Sequence, residues 1–200
     1  MNSLFFYIGL GAGLAVAAGL RPFLPALLAG GLGSGDVLGV DFEHGSYTFL
    51  SAGWWLVLMA ALFAATWLIQ LRVGSERFDA GPLGAATAGI GIGVGALLFA
   101  GTLSDHGRPG WPGLIAGVAC AALAAAAVRP LFAGARARLS DASARQSLTL
   151  YLDVAGLVIA ALVSLLHPLG YVAVAAFAWL LVASRRRAGE KYAGLRILRG

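Results

Sequence analysis

Residues 13–33 read GLAVAAGLRPFLPALLAGGLG, an apolar run with Arg21, Pro22 and Pro25 near its middle. A guanidinium costs about 2.5–3.5 kcal/mol at the centre of a membrane-crossing helix, so its presence there asks for a partner or a task. Proline removes a backbone donor and stops or bends the helix it enters. The helix that begins near residue 4 is therefore expected to end at Arg21-Pro22. The segment PFLPALLAGGLG is too short to cross a bilayer and too apolar for a surface loop. It is expected to form a second, short helix returning into the membrane, with Pro22 at its first position, where a missing N–H costs nothing. Broken helices at membrane depth are tolerated where they line a cavity, and their free N–H groups together with Arg21 make an anion site.

The rest of the chain supports a membrane setting. Of the 200 residues 60 % are hydrophobic and 12 % charged, with mean hydropathy +0.85. Soluble domains carry about 25 % charged residues. Six apolar segments are expected, at 4–32 (interrupted at Arg21-Pro22), 50–71, 82–103, 111–132, 148–166 and 169–184. The expected fold is an all-α membrane protein, with one transmembrane helical domain over 1–184 and a basic tail over 185–200. Trp54, Trp55, Trp67 and Trp111 suit the two interfacial belts. The N-terminal apolar stretch has no basic residue before it and is expected to stay uncleaved. Cys120 is alone in the chain, lies in an apolar run and reads as an inert buried thiol.

Charge placement gives an orientation. With both termini cytoplasmic in a bacterial inner membrane, inside segments hold Arg72, Arg77, Arg129, Arg136, Arg138, Arg145, Arg185, Arg186, Arg187, Lys191, Arg196 and Arg199. Those are 12 of the 14 Lys and Arg residues. Outside segments hold Asp36, Asp41, Glu43 and Asp105 against Arg108. This is the positive-inside bias, so the net charge of +5 reads as a topology signal and not as affinity for nucleic acid.

Arg21 and Asp153 remain inside apolar segments. Arg21 either snorkels to the headgroups from the end of a helix about 25 Å long or holds an anion. Asp153 either caps the fifth segment from the cytoplasmic side or faces the interior as a carboxylate that pairs with Arg21 or carries a proton. His167-Pro168, between the last two segments, repeats the pattern of a basic residue before proline and reads as a turn or an opposing gate. LAAAAVRPLF at Arg129-Pro130 echoes AVAAGLRPFL, the pattern of an inverted repeat. Gly89, Gly91, Gly93 and Gly95 give two small-residue faces, for packing inside the bundle or for a seam with a second copy. Asp36, Asp41, Glu43 and His44 could supply converging metal ligands but lack the spacing of a metal-binding loop and read as a solvated acidic loop, and His106 has no ligand-spaced partner in sequence. No metal or cofactor is expected. No nucleophile, metalloprotease or phosphate-loop motif is present, so no enzyme is expected.

Arg21-Pro22-Phe23-Leu24-Pro25 with Ala29-Gly30 resembles the R-x-F-x-P…A-G re-entrant stretch of DedA-type membrane proteins. That resemblance implies movement of lipid-linked phosphates such as the polyprenyl phosphate carrier, although the acidic motif of that family's other hairpin is missing here. Over the whole chain the sequence resembles a multi-pass bacterial family, domain of unknown function 4126. The likeness rests on the early AAGLRP break, the glycine-rich middle and the basic tail RRRAGEKYAGLRILRG. It implies architecture and no activity. The expected function is a transporter or translocase for a small anionic or lipid-phosphate substrate, with Arg21, Pro22, Phe23, Pro25, Asp153 and His167 at its site. The alternative is a non-transporting organiser that binds membrane lipids, a partner or a second copy through the glycine face.

Overall fold

A computed structural model of the chain describes residues 4–35, 37–139 and 141–197. Asp36 lies outside them, and the side chains of Ala142 and of the tail from Arg187 are not described. Among the described residues eight α-helices follow one another: α1 (Leu4–Leu20), α2 (Phe23–Gly33), α3 (Gly53–Val73), α4 (Ser75–Ala80), α5 (Pro82–Asp105), α6 (Trp111–Arg136), α7 (Ala142–Leu165) and α8 (Leu169–Ile197). A short 3-10 turn, Thr48–Ser51, precedes α3. The protein is an all-α, multi-pass membrane protein. Among the described residues five helices, those at Gly53–Val73, Pro82–Asp105, Trp111–Arg136, Ser143–Leu165 and Leu169–Arg186, are long and apolar enough to cross a bilayer.

The stops are local. Pro82 and Pro112 lie in the first turns of α5 and α6, where a missing N–H costs nothing. Asp141 caps α7 by accepting the Ser143 backbone N–H at 3.0 Å and the Ser143 hydroxyl at 2.6 Å. These hydrogen bonds hold its carboxyl below the ordinary value. Pro130, by contrast, sits inside α6 without ending it, so Arg129-Pro130 does not repeat the break at Arg21-Pro22. Gly74 closes α3 with φ +88° and ψ 138°, a region costly to any residue with a Cβ. Gly74→Ala is expected to lose about 1–3 kcal/mol in a reversible detergent-unfolding titration. No atom lies within 4 Å of the added methyl, so the loss would come from the backbone alone.

The first helix is the hub. Every α1 residue from Gly9 to Gly19 is buried, and α5, α6, α7 and α8 surround it. Its small side chains permit this, because in lipid close backbone contact does the work that hydrophobicity does in water. Gly19 meets the Ala121 backbone, Gly91 meets the Ala18 carbonyl, and Gly9 and Gly13 meet Gly170. Helices α5 and α6 pack through Gly113 on Ala100 and Gly117 on Ala96. Gly91 and Gly95 thus face the bundle, whereas Gly89 and Gly93 have nothing within 4 Å and face outward.

One expectation is corrected, the placing of both termini at one end. Beyond the break α2 folds back, so that Gly33 reaches Phe42, which also lies on Gly101 near the far end of α5. As a result α1 begins where α8 begins. Tyr171 donates its hydroxyl to the Phe5 carbonyl at 2.7 Å and stacks on the Phe5 ring. Since α8 runs away from that end, the start of α1 and the end of α8 lie at opposite ends of the bundle, not on one side. The returning α2 removes one crossing, and the uncharged start of the chain offers no Lys or Arg to reveal it. The two breaks also part company: Arg21-Pro22 lies at the basic end with Arg129 and Arg136, and His167-Pro168 at the acidic end with Asp41 and Asp105.

Candidate functional site

At the α1–α2 break the chain makes a corner that cannot hide its polar groups. No side chain caps the start of α2, and Pro22 is the residue before it. Arg21 hydrogen-bonds its N–H back to Ala17 and turns its side chain into the bundle, where it is only 8 % exposed. It does not snorkel. Its Nε lies 3.4 Å from Asp153 Oδ1, and its Nη2 lies 3.8 Å from Asp79 Oδ2. The same Asp79 oxygen is 2.5 Å from Arg136 Nη1. Arg136, also 8 % exposed, donates from Nη2 to the Thr149 hydroxyl at 3.1 Å. Two guanidiniums and two carboxylates thus form one chain, Asp153–Arg21–Asp79–Arg136, anchored on α7 at both ends. Buried charges persist only when paired in this way.

The chain separates two cavities. The first, about 350 Å³, is lined by Arg21, Pro22, Asp79, Gly84, Arg129 and Arg136 among others and lies between α1, α4, α5 and α6. The second, about 340 Å³, lies between α3 and α7, with Phe23, Thr66, Trp67, Gln70, Gln146 and Asp153 in its wall. Arg21 lines both. Toward the acidic end the space is filled, with Leu10, Leu14, Phe42, Leu50 and Val163 buried. Chemically, the site is a pair of forked donors in low dielectric, neutralised by acceptors that a competing anion could replace.

The expected site residues divide. Arg21, Pro22, Phe23 and Asp153 come together here. Pro25 is fully buried behind them, with its ring against Gly156. Asp153 is not the α7 cap, which is Asp141; it stands three turns into the helix and faces Arg21. His167 is not brought to this site. Its Nε2 lies 3.2 Å from the Leu38 carbonyl, beside Phe6, at the other end of α1. There Asp41, His44 and Asp105 also converge, their ligand atoms all within 4.8 Å of one another. Asp105 accepts the His44 backbone N–H at 2.9 Å, so this group stitches the loop to α5.

Sequence reading missed Asp79, Arg129 and Arg136. Arg129 and Arg136 looked like topology charges, although their spacing of seven puts them on one helix face. Arg129 donates to the Gly84 carbonyl at 2.9 Å, across to α5. Asp79 sits on α4, a six-residue helix for which SERFDA gives little warning. Glu76 on the same helix pairs with Arg145 of α7 at 2.6 Å.

The chain matches no protein-family model, no curated protein and no solved structure.

Proposed function

We propose that the protein is a transporter or translocase for a small anionic or lipid-linked phosphate substrate, with Arg21 at the broken helix as the anion site. The observation that supports this reading is the place of Arg21, a buried charge that forms the common wall of two cavities. In this reading the basic end faces the cytoplasm, α2 is a re-entrant half-helix, and the cavities open toward the inner leaflet. Asp153 is the counter-ion that yields Arg21 when the substrate arrives. The cavities end against packed side chains, so passage needs a second arrangement of the bundle, as alternating access does.

The test is reconstitution in liposomes, following uptake of radiolabelled inorganic phosphate and transbilayer movement of a fluorescent short-chain lipid phosphate. Arg21→Gln is expected to slow the active substrate roughly 30-fold or more, the effect of losing about 2 kcal/mol from a buried charge contact. Arg21→Lys is expected to retain part of the rate, because the charge survives and the fork does not. Rates no higher than those of protein-free liposomes would sink the proposal. They would favour the organiser, for which the outward faces of Gly89 and Gly93 speak.

A further inference from the structure

Two guanidiniums converging on one oxygen is the arrangement by which proteins hold phosphate, and here that oxygen belongs to Asp79. The geometry points to Asp79 as a built-in stand-in for a substrate's dianionic phosphate group, carried on α4 as a gate that the substrate displaces. This rests on the anion reading above and narrows it to a charge and a site.

Three observations carry it. First, Arg136 keeps a buried Nε–H with no hydrogen-bond partner among the described residues, and it lines the first cavity. An unsatisfied buried donor is costly and marks a place where an acceptor belongs. Asp79 engages Nη1 and Thr149 engages Nη2, so the guanidinium is incompletely matched by its own protein.

Second, charge counting selects the ligand. Arg21, Arg129 and Arg136 bring three positive charges to the first cavity, against the Asp79 carboxylate in its wall and the Asp153 carboxylate that pairs with Arg21 from the second cavity. Glu76 and Arg145 cancel each other. Withdrawing Asp79 leaves +2, which a phosphate monoester or inorganic phosphate neutralises and a phosphodiester does not. The cavity volume of about 350 Å³ is at the small end for ligand sites, right for a headgroup rather than a nucleotide.

Third, α4 is built to move as a unit. It has six residues between Gly74, at φ +88°, and Gly81. Gly84 lets the Asp79 backbone lie directly against α5, since any Cβ there would strike it. Phe78 buries its ring beneath α4, and the Glu76–Arg145 pair, with Glu76 63 % exposed at its side chain, is the polar clasp that ties α4 to α7. Exposed pairs of this kind are weak and open readily.

The experiment measures binding of inorganic phosphate, of a short-chain phosphatidate and of the monoanion dimethyl phosphate to the full-length protein in nanodiscs. Asp79→Asn removes the internal competitor and is expected to tighten binding of the dianions at least ten-fold, while Arg136→Gln weakens it at least ten-fold. Dimethyl phosphate is expected to bind neither form. Tightening for both dianions assigns the phosphate group itself, tightening for phosphatidate alone assigns a lipid source, and tightening for inorganic phosphate alone assigns a soluble one. Unchanged or weaker binding by Asp79→Asn overturns the proposal. Should that variant not fold, Glu76→Cys with Arg145→Cys in a Cys120→Ala chain allows α4 to be tied to α7 by a short bis-thiosulfonate linker. Tying is then expected to abolish binding and reduction to restore it, and normal binding with α4 tied overturns the gate. Arg21-dependent uptake that survives while binding ignores Asp79 removes only this inference. Absence of uptake and of binding in every form removes the anion reading as well.

Discussion

Replacing Arg21 by Met is expected to destabilise the protein by about 3–5 kcal/mol, and neutralising Asp153 in the same chain to recover most of that loss. The reason lies in which partner is orphaned. Asp79 keeps Arg136 at 2.5 Å, but among the described residues Asp153 has Arg21 alone as its ion-pair partner. Asp153 has a side chain only 18 % exposed, so removing Arg21 strands a carboxylate in low dielectric. Breaking a buried pair on one side costs several kcal/mol, whereas removing both charges is close to neutral. Reversible unfolding of the two single variants, Arg21→Met and Asp153→Asn, and of the double variant gives the coupling by a thermodynamic cycle. A double variant as unstable as the sum of the singles would mean that the Arg21–Asp153 contact carries no energy and that the Arg21 effect is one of packing.

The second large effect concerns glycine. Gly170→Val is expected to prevent native assembly and Gly19→Val to cost well over the 1–3 kcal/mol of ordinary overpacking. At both positions the obstructing atoms are backbone of a neighbouring helix, Gly9 and Gly13 for the first and Ala121 for the second, and backbone cannot turn aside as a side chain can. Gly93→Val, on the outward face of α5, is the control, expected to leave the monomer's fold intact because nothing lies within 4 Å. The yield of monodisperse protein after extraction and its melting temperature report all three. A Gly170→Val chain that melts like the parent would refute the packing described for α1 and α8.

These contrasts locate what the sequence could and could not reveal. Hydropathy alone marks α3, α5, α6, α7 and α8, because the bilayer demands long apolar runs with their hydrogen bonds made internally. Pro22 and Pro25 mark the end of α1, since a proline acts on its own neighbours. The direction of α2 is different in kind. It depends on Gly33 and Gly30 fitting against Phe42 and Leu50, contacts that no local pattern encodes. Gly89, Gly91, Gly93 and Gly95 look equivalent along the chain, yet α1 takes one pair and leaves the other outward. The glycines of α1 itself, Gly9, Gly13 and Gly19, matter more and are hidden in an unremarked apolar run. At the site, Arg21 and Asp153 declare themselves by being charged in an apolar setting. Asp79 and Arg136 sit among loop charges that topology already explains, and only the fold shows that Arg21 forms ion pairs with α4 and α7 at once.

Helix α1 precedes in the chain every helix that encloses it, since its neighbours α5 to α8 are drawn from residues 82 to 197. Its contacts therefore span most of the chain, the kind of topology that folds slowly because distant partners must wait for each other. Until Val163, His167 and Gly170 arrive, Gly9 and Gly13 of α1 lack the surfaces they pack against. A chain cut before Ala142 leaves the hub without α7 and α8, and a seventeen-residue helix with four glycines and four alanines is too short to hold its place in lipid well by itself. The order of synthesis thus runs opposite to the order of assembly: the central helix is made before the helices around it and is enclosed only when the last of them arrives.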